Sequence, residues 1–180
     1  TRDYNKGDIT DATKVTIGVV AGNFREDPTK FLVEGSTVSK NDEGRYDAVK
    51  AYLCKIGEKS YYTMDEALKA VKSGETIVLL RDCSTNKQAT SGTKDFTIDL
   101  AEFTWNHTGS SEIYSAFEAN NENGKITVKN GNVVSNQPIG LVSWDNAGLV
   151  FDTVKMTTTG RSGIETNGNN TNDTVTLKNS

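Results

Sequence analysis

Histidine, cysteine and proline are nearly missing from this sequence, and each shortage excludes a class of site. The 180 residues include one histidine, His107, together with two cysteines and two prolines. A single histidine excludes a His-rich zinc site, and it makes any Ser-His-Asp triad depend on His107 alone. No apolar run approaches the roughly 18 residues of a membrane-spanning helix, so we expect no membrane insertion.

Basic residues are slightly fewer than acidic ones. Lys and Arg number 20 against 24 Asp and Glu, which leaves a net charge of -4. No basic stripe is present to neutralise phosphates, so we expect no nucleic-acid partner. The sequence predicts no cofactor. No basic and apolar leader opens the chain, so we expect a signal peptide to be absent or already removed.

Glycine, asparagine and threonine are abundant instead. The chain has 16 glycines, and asparagine and threonine are concentrated after position 85. Such a composition fits either a disordered chain or short strands joined by tight turns. Apolar residues alternate regularly between the turn residues, which is typical of strands and not of disorder. The sequence therefore predicts an all-β body.

Four segments in the second half of the chain repeat one pattern. They are FTIDL at 96–100, ITVKN at 126–130, LVFDT at 149–153 and VTLKN at 175–179, with apolar residues at the first and third positions. Two further strand-like sets lie between them: EFTWN (102–106), NVVSN (132–136) and VKMTT (154–158), then IYSAF (113–117), IGLVS (139–143) and GIETN (163–167). Three strands per repeat of about 25 residues indicate the coil of a parallel β-solenoid. The alternative is a β-sandwich with accidental spacing.

The repeat predicts which side chains point inward. Eight apolar residues should stack coil on coil: Phe96, Ile98, Ile126, Val128, Leu149, Phe151, Val175 and Leu177. Asn130 and Asn179 occupy the fifth position of their segments, where inward amides are expected to hydrogen-bond along the stack.

The N-terminal half has a different character. Residues 15–24 predict a strand that ends in a Gly22-Asn23 turn, and Asp27-Pro28 predicts the start of a short helix. Further on, Thr63 and Glu66 form a capping box for a helix over 63–73. That helix is expected to cover an end or a side of the solenoid.

One segment resembles a known class of protein. YYTMDEALKAVKSGETIVLLRD (61–82) is similar to a segment common in large repetitive surface proteins of Gram-positive gut bacteria, where it precedes a pectate-lyase-like right-handed parallel β-helix. TIDL (97–100), ITVKNGNV (126–133) and VTLKNS (175–180) resemble the coils of that β-helix, and residues 22–49 resemble the stretch that closes the preceding module. AEF at 101–103 departs from the usual Asn-Gly turn, so this corner is expected to differ.

The resemblance implies a right-handed parallel β-helix with three strands per coil and a small N-terminal αβ cap containing one helix. Residues 1–48 would end a preceding module or form a cap segment, 49–93 would form a strand-helix-strand cap, and 94–180 would form the coils. The chain stops within a coil-like strand, so we expect a fragment with further coils missing.

Candidate binding residues are few. Trp144 precedes an Asp-Asn turn, where an exposed ring can stack on a sugar, and Tyr114 is a second candidate whose face the alternation leaves open. Trp105 follows Phe103 at strand period and is expected to face the core. His107 lies in an Asn-His-Thr-Gly loop and is expected to be solvated. Asp99 and Asp152 share the outward fourth position of their segments but are two coils apart, and the equivalents on the other coils are Lys129 and Lys178. Asp145 and Asp173 occupy other coil positions, so we expect neither a metal site nor catalytic residues.

Cys54 and Cys83 allow two interpretations. A strand-helix-strand passage brings parallel strands together by a right-handed crossover, and in an exported chain this fits a Cys54–Cys83 disulfide. Two buried reduced thiols fit equally well.

The resemblance concerns the architecture and implies little about activity. The expected function is non-catalytic, because a solenoid is rigid and extendable and needs few apolar residues. We expect an extracellular stalk or adhesion module of a bacterial surface protein, secreted or anchored to the cell wall, in contact with host or dietary glycans or a host surface protein. The alternative is a carbohydrate-active β-helix enzyme, a polysaccharide lyase or a glycoside hydrolase. A cluster of acidic and basic side chains on one lateral face would favour the enzyme.

Overall fold

The computed structural model describes residues 18–33, 35–110, 112–167 and 171–180. The chain divides into two compact units, residues 1–50 and 51–180. The strand-helix-strand segment and the coils therefore belong to one unit. No helix in the described part of the chain is long and apolar enough to cross a membrane.

The first unit is a small antiparallel sheet. Its strands are β1 (Gly22–Phe24), β2 (Ser36–Lys40) and β3 (Tyr46–Lys50) in the order β1-β3-β2, with a 3-10 helix at Thr29–Phe31. The predicted turn at Gly22-Asn23 is wrong, because both residues belong to β1 and pair with Ala48 and Asp47. The Asn23 side chain donates to the Asp47 carboxylate across the two strands, which stabilises this pairing. Val15 and Ile17 lie outside the described residues.

The second unit is an all-β parallel β-helix with one helix at its beginning. Its elements are β4 (Cys54–Ile56), β5 (Lys59–Tyr61), α1 (Met64–Ala70), β6 (Thr76–Leu79), β7 (Cys83–Thr85), β8 (Ala89–Thr90), β9 (Asp95–Asp99), β10 (Thr104–His107), β11 (Phe117–Ala119), β12 (Lys125–Ser135), β13 (Gly140–Val142), β14 (Gly148–Thr158), β15 (Ile164–Thr166) and β16 (Thr174–Lys178). Strands of successive coils pair in parallel, as β6-β9-β12-β14-β16, β7-β10-β12-β14 and β8-β11-β13-β15. The long strands β12 and β14 each supply two sides of a coil.

The register confirms the first repeated pattern. Phe96, Ile126, Leu149 and Val175 lie opposite one another on successive coils, and so do Ile98, Val128, Phe151 and Leu177. Six of these eight side chains are buried, Val175 is half-buried, and Leu177 is 55% exposed. Leu177 is exposed because β16 pairs only with β14.

The second alignment shifts at the corner after β9. Four residues separate Asp99 from Thr104, whereas two separate the paired residues Lys129 and Asn132. The two extra residues are accommodated by left-handed conformations at Ala101 (φ 49) and Glu102 (φ 69). The corner at AEF therefore does differ. In consequence Trp105, and not Phe103, lies opposite Val133. The third alignment shifts in the next loop, where nine residues separate His107 from Phe117 but four separate Ser135 from Gly140, so that Phe117 lies opposite Gly140.

The predicted stack of Asn130 and Asn179 is wrong. The coil between them places Thr153 at this position, and the Asn130 amide donates instead to Asp99 Oδ1 at 3.1 Å. Asn130, Thr153 and Asn179 all have left-handed backbones, with φ of 58, 58 and 50. Asparagine tolerates this conformation better than most residues, so the corner selects it for its backbone and not for an inward amide ladder.

The helix has the predicted capping box but is shorter than predicted. Thr63 Oγ1 accepts from Glu66 N at 3.2 Å, and the Glu66 carboxylate accepts from Thr63 N. The helix ends at Ala70, because Val71 is already extended (φ -61, ψ 140). Met64, Ala67 and Val71 are buried in the same apolar core as the coils.

The predicted parallel pairing around the helix is wrong for the strand that holds Cys54. That strand, β4, pairs antiparallel with both β5 and β6. The cause is a hairpin between β4 and β5 at Gly57, whose φ of 55 suits glycine. The hairpin inserts β4 between the two strands that the helix connects.

Aromatic rings fill the middle of the solenoid. Trp105 faces the core as predicted and is fully buried. Its ring centroid lies 4.9 Å from that of Phe117, which in turn lies 6.0 Å from Phe151 in an edge-on contact. Such pairs contribute about 0.5–1.5 kcal/mol beyond the burial of their area.

Candidate functional site

Trp144 is the most exposed aromatic side chain of the coils. Its side chain is 55% exposed, and it lies in the turn between β13 and β14. The turn itself is well fixed, because the Trp144 carbonyl accepts from Ala147 N at 3.2 Å. The neighbouring Ser143 hydroxyl donates to Glu118 Oε1 at 2.8 Å.

Trp144 lies in the middle of three stacked turns, which we name the Trp144 corner: residues 120–124, 143–147 and 171–173. Backbone bonds join each turn to the next, for example Asn146 N to the Thr171 carbonyl at 3.0 Å. Asn123, Asn146 and Asn172 each stand two residues before the following strand, with φ of 60, 56 and 58. Three amides therefore follow one another at the coil spacing of about 4.8 Å.

The Trp144 corner is acidic. Each turn holds one carboxylate, from Glu122, Asp145 or Asp173, and none holds lysine or arginine. Asp145 Oδ1 accepts from Thr171 N at 2.7 Å, so this carboxylate also links two turns.

Tyr114, the second candidate, belongs to a different group of side chains. Its hydroxyl donates to Glu165 Oε2 at 2.6 Å, and the Arg161 guanidinium lies 4.8 Å from the centre of its ring. Arg161 also forms a two-bonded ion pair with Glu165, at 2.9 Å for each bond. Hydrogen bonds from Ser162 and Arg161 lower the pKa of Glu165. These contacts connect the loop that precedes β11 with strand β15.

The two candidates are not brought together. Tyr114 precedes β11, whereas Trp144 follows β13, and these strands pair in parallel. The residues therefore lie at opposite ends of the third side of the solenoid.

One outward face carries a row of alternating charges, and its members stand at the fourth position of the repeated segments, as the sequence predicts. Asp99, Lys129, Asp152 and Lys178 lie opposite one another on four successive coils and are named here the charged row. Lys129 Nζ lies 3.3 Å from Asp99 Oδ2. Beside it runs a row of Thr76, Thr97, Thr127, Val150 and Thr176. The register adds the ion pair of Asp99 with Lys129 and the row of threonines, which composition alone does not reveal.

The charged row leads to a prediction about stability. Replacing Lys129 with Asp places three carboxylates on neighbouring coils, and directly opposed like charges destabilise a sheet. We expect the free energy of unfolding to fall by about 1–2 kcal/mol, and by less at high salt because exposed charges are screened. Lys155→Asp is the control, because Lys155 lies opposite the neutral Asn132. Equal losses in both variants, measured by urea denaturation, would contradict the pairing.

No group of three or more His, Cys, Asp or Glu side chains in the described part of the chain is arranged to hold a metal ion. In the charged row the carboxylates alternate with lysines.

His107 is buried, so its predicted solvation is wrong. The side chain is 3% exposed on the inner face of β10, and its Nδ1 lies 3.0 Å from Ser135 Oγ on the next coil. Its Nε2 has no hydrogen-bond partner among the described residues. The cause is that β10 continues through His107, which lies two residues after the inward Trp105 and therefore faces inward as well.

Burial of His107 should make stability depend on pH. Burial lowers the pKa of His107 below its ordinary value of 6.5, because the charged ring loses water. The folded state therefore binds fewer protons than the unfolded state. The stability that the neutral, buried His107 maintains is complete above pH 6.5 and is lost as the pH falls. The free energy of unfolding should then fall by at most about 1.4 kcal/mol per pH unit. Urea denaturation between pH 5 and 7 should show this slope, and His107→Gln should remove it. An equal slope in the variant would contradict the assignment.

Cys54 and Cys83 are both buried thiols, and no disulfide joins them. Cys54 lies opposite Leu79 and Tyr61, whereas Cys83 lies opposite Trp105. Burial, with a smaller effect of the Glu66 carboxylate, raises the pKa of Cys54 to about 12.

The thiols should be unreactive until the protein unfolds. Only the thiolate reacts with alkylating reagents, and burial suppresses both ionisation and access. Mass spectrometry without reductant should find no alkylation of the folded chain and two alkylated cysteines in urea. An unfolded chain that still resists alkylation, with a mass lower by two protons, would establish the disulfide instead.

Comparison of the chain with protein-family models, with curated proteins and with solved structures found no match.

Proposed function

We propose that this chain is a non-catalytic extracellular module, a stalk or adhesion element of a bacterial surface protein that contacts glycans. The supporting observation is the continuous inner stack of the solenoid. Buried apolar rows run through successive coils, and parallel ladders join every coil to the next. Solenoids of this kind extend a binding surface along a rigid rod, because each coil is stabilised by its neighbours.

The charged row gathers acidic and basic side chains on one lateral face, a feature expected to favour an enzyme, but the ion pairing of these charges fits a structural function. In the charged row each carboxylate has a lysine on the adjoining coil, as Asp99 has Lys129. Such pairs contribute up to about 1 kcal/mol each to a sheet. Their alternation suits an element that must hold its coils in register.

A carbohydrate-active enzyme is the second candidate, and one observation favours it. Asp99 and Asp152 share the charged row two coils apart, a separation of roughly 9–10 Å. The carboxyl groups of inverting glycosidases are about 6.5–9.5 Å apart. Here, however, Lys129 lies between the two acids and is ion-paired to Asp99, which places an ammonium group where such an enzyme needs its water.

Two assays on the same protein separate these functions. The full chain is incubated with insoluble cellulose and chitin, and retention is measured after centrifugation. It is also incubated with polygalacturonate, xylan and soluble cellulose, with and without Ca²⁺, and released reducing ends and unsaturated products are measured. We expect retention without product. Product that disappears in Asp99→Asn or Asp152→Asn would establish the enzyme. If the chain shows no retention and forms no product, glycan contact is contradicted.

A further inference from the structure

We propose that the Trp144 corner binds neutral, extended oligosaccharides that lie along the solenoid axis. This inference rests on the proposed function, because it gives the glycan-contacting module a site and a ligand class. Trp144 would stack on one sugar ring, and the amides of Asn123, Asn146 and Asn172 would hydrogen-bond to hydroxyl or N-acetyl groups.

The indole supplies the apolar part of the site. It is 55% exposed although its backbone is held by a hydrogen-bonded turn, so no loop ordering is needed before a ligand binds. Within the described part of the chain, no aromatic ring or cation is stacked on it. The apolar face of a pyranose ring covers an indole well, and burial of apolar surface contributes about 25 cal/mol per Å².

The amides supply the polar part. Asn123, Asn146 and Asn172 are placed by the left-handed backbone of their turns. No other described residue forms a hydrogen bond with these three side-chain amides. A primary amide both donates and accepts, which suits hydroxyl groups that also do both.

The spacing of the amides determines the shape of the ligand. They rise in a straight row at about 4.8 Å per coil, close to the length of one pyranose unit in an extended chain. A β-1→4-linked oligosaccharide is extended in this way, so successive units would meet successive asparagines. A bent or branched glycan would reach only one of them.

The charge of the corner determines which glycans are excluded. Glu122, Asp145 and Asp173 place one carboxylate in every turn, without a lysine or arginine in the same turns. A uronic acid would bring a like charge against this surface, which weakens association. Neutral glucans and N-acetylglucosamine oligomers carry no such penalty.

The test uses the two tryptophans of the full chain. Trp105 is fully buried and Trp144 is 55% exposed, so quenching of fluorescence by acrylamide reports mainly on Trp144. The probes are cellotetraose and chitotetraose, with tetragalacturonate as the acidic counterpart. We expect both neutral probes to reduce quenching, and the acidic probe to bind at least tenfold more weakly. Binding should tighten from the disaccharide to the tetrasaccharide.

Variants separate this site from any other. Calorimetry should show at least tenfold weaker binding of the neutral probes to Trp144→Ala and partial recovery in Trp144→Phe. Val134→Ala is the matched control, because Val134 is exposed on another side of the solenoid. If the chain is retained on cellulose or chitin equally well with Trp144→Ala, the corner is not the site although the proposed function stands. Equal affinity for tetragalacturonate would overturn the charge argument, and no effect of the neutral probes would overturn the inference.

Discussion

Replacing Phe151 with alanine is expected to lower the free energy of unfolding of the solenoid by about 3–5 kcal/mol. Phe151 is fully buried in β14 between Val128 and Leu177, and its ring contacts Phe117 edge-on at 6.0 Å. Truncation leaves a cavity in the middle of the stack, where ladders on both sides limit relaxation. Urea denaturation followed by the emission of the buried Trp105 measures the loss.

Leu177→Ala is the matched control for this experiment. Leu177 lies in the same inward row as Phe151, one coil further on, but it is 55% exposed. We expect the free energy of unfolding to fall by about 1 kcal/mol or less in Leu177→Ala, because truncations of exposed side chains have small effects. If the two variants lose equal amounts, the core does not lie where the register places it.

The second large effect is expected from a charge introduced under the helix. Ala67 of α1 is fully buried in the core cluster together with Met64 and Val71. Ala67→Asp would place an unpaired carboxylate there, and leaving a buried charge without a partner costs about 3–5 kcal/mol. The expected result is a helix that detaches from β4 and β5 and a marked fall in thermal stability.

Aspartate at neighbouring positions of the same helix should lower the thermal stability by smaller amounts. Leu68 is only partly buried, so Leu68→Asp should cost less than Ala67→Asp. Lys69 is exposed, and Lys69→Asp should cost less than about 1 kcal/mol, mainly through the helix dipole. Circular dichroism melts of the three variants should follow that order. An unchanged melting temperature in Ala67→Asp would contradict the packing of the helix.

The repeat was predictable because its signal is local. Alternation in FTIDL, ITVKN, LVFDT and VTLKN requires only that one face of each strand is buried. The same holds for the capping box at Thr63 and Glu66, which depends on residues three positions apart. Trp105, two residues after Phe103, was also correctly assigned to the core.

The candidate site was predictable only in part. Trp144 could be named because an aromatic residue before an Asp-Asn turn is expected to be exposed. The row of Asn123, Asn146 and Asn172 was not identified, although the shared signal was an asparagine two positions before each repeated strand. Asn130 and Asn179, at the fifth position of their segments, lie at the other corner of the coil.

What the sequence by itself determined was the fold class, the inward rows of the first strand of each coil and the start of the helix. Each of these follows from the period of apolar residues or from contacts a few positions apart. Only the tertiary structure decided the burial of His107, the ion pair of Asp99 with Lys129 and the insertion of β4 between β5 and β6. The first depends on how far β10 extends after a corner lengthened by Ala101 and Glu102, the second on where two side chains lie in space, and the third on the hairpin at Gly57. None of these alters the alternation that a sequence displays.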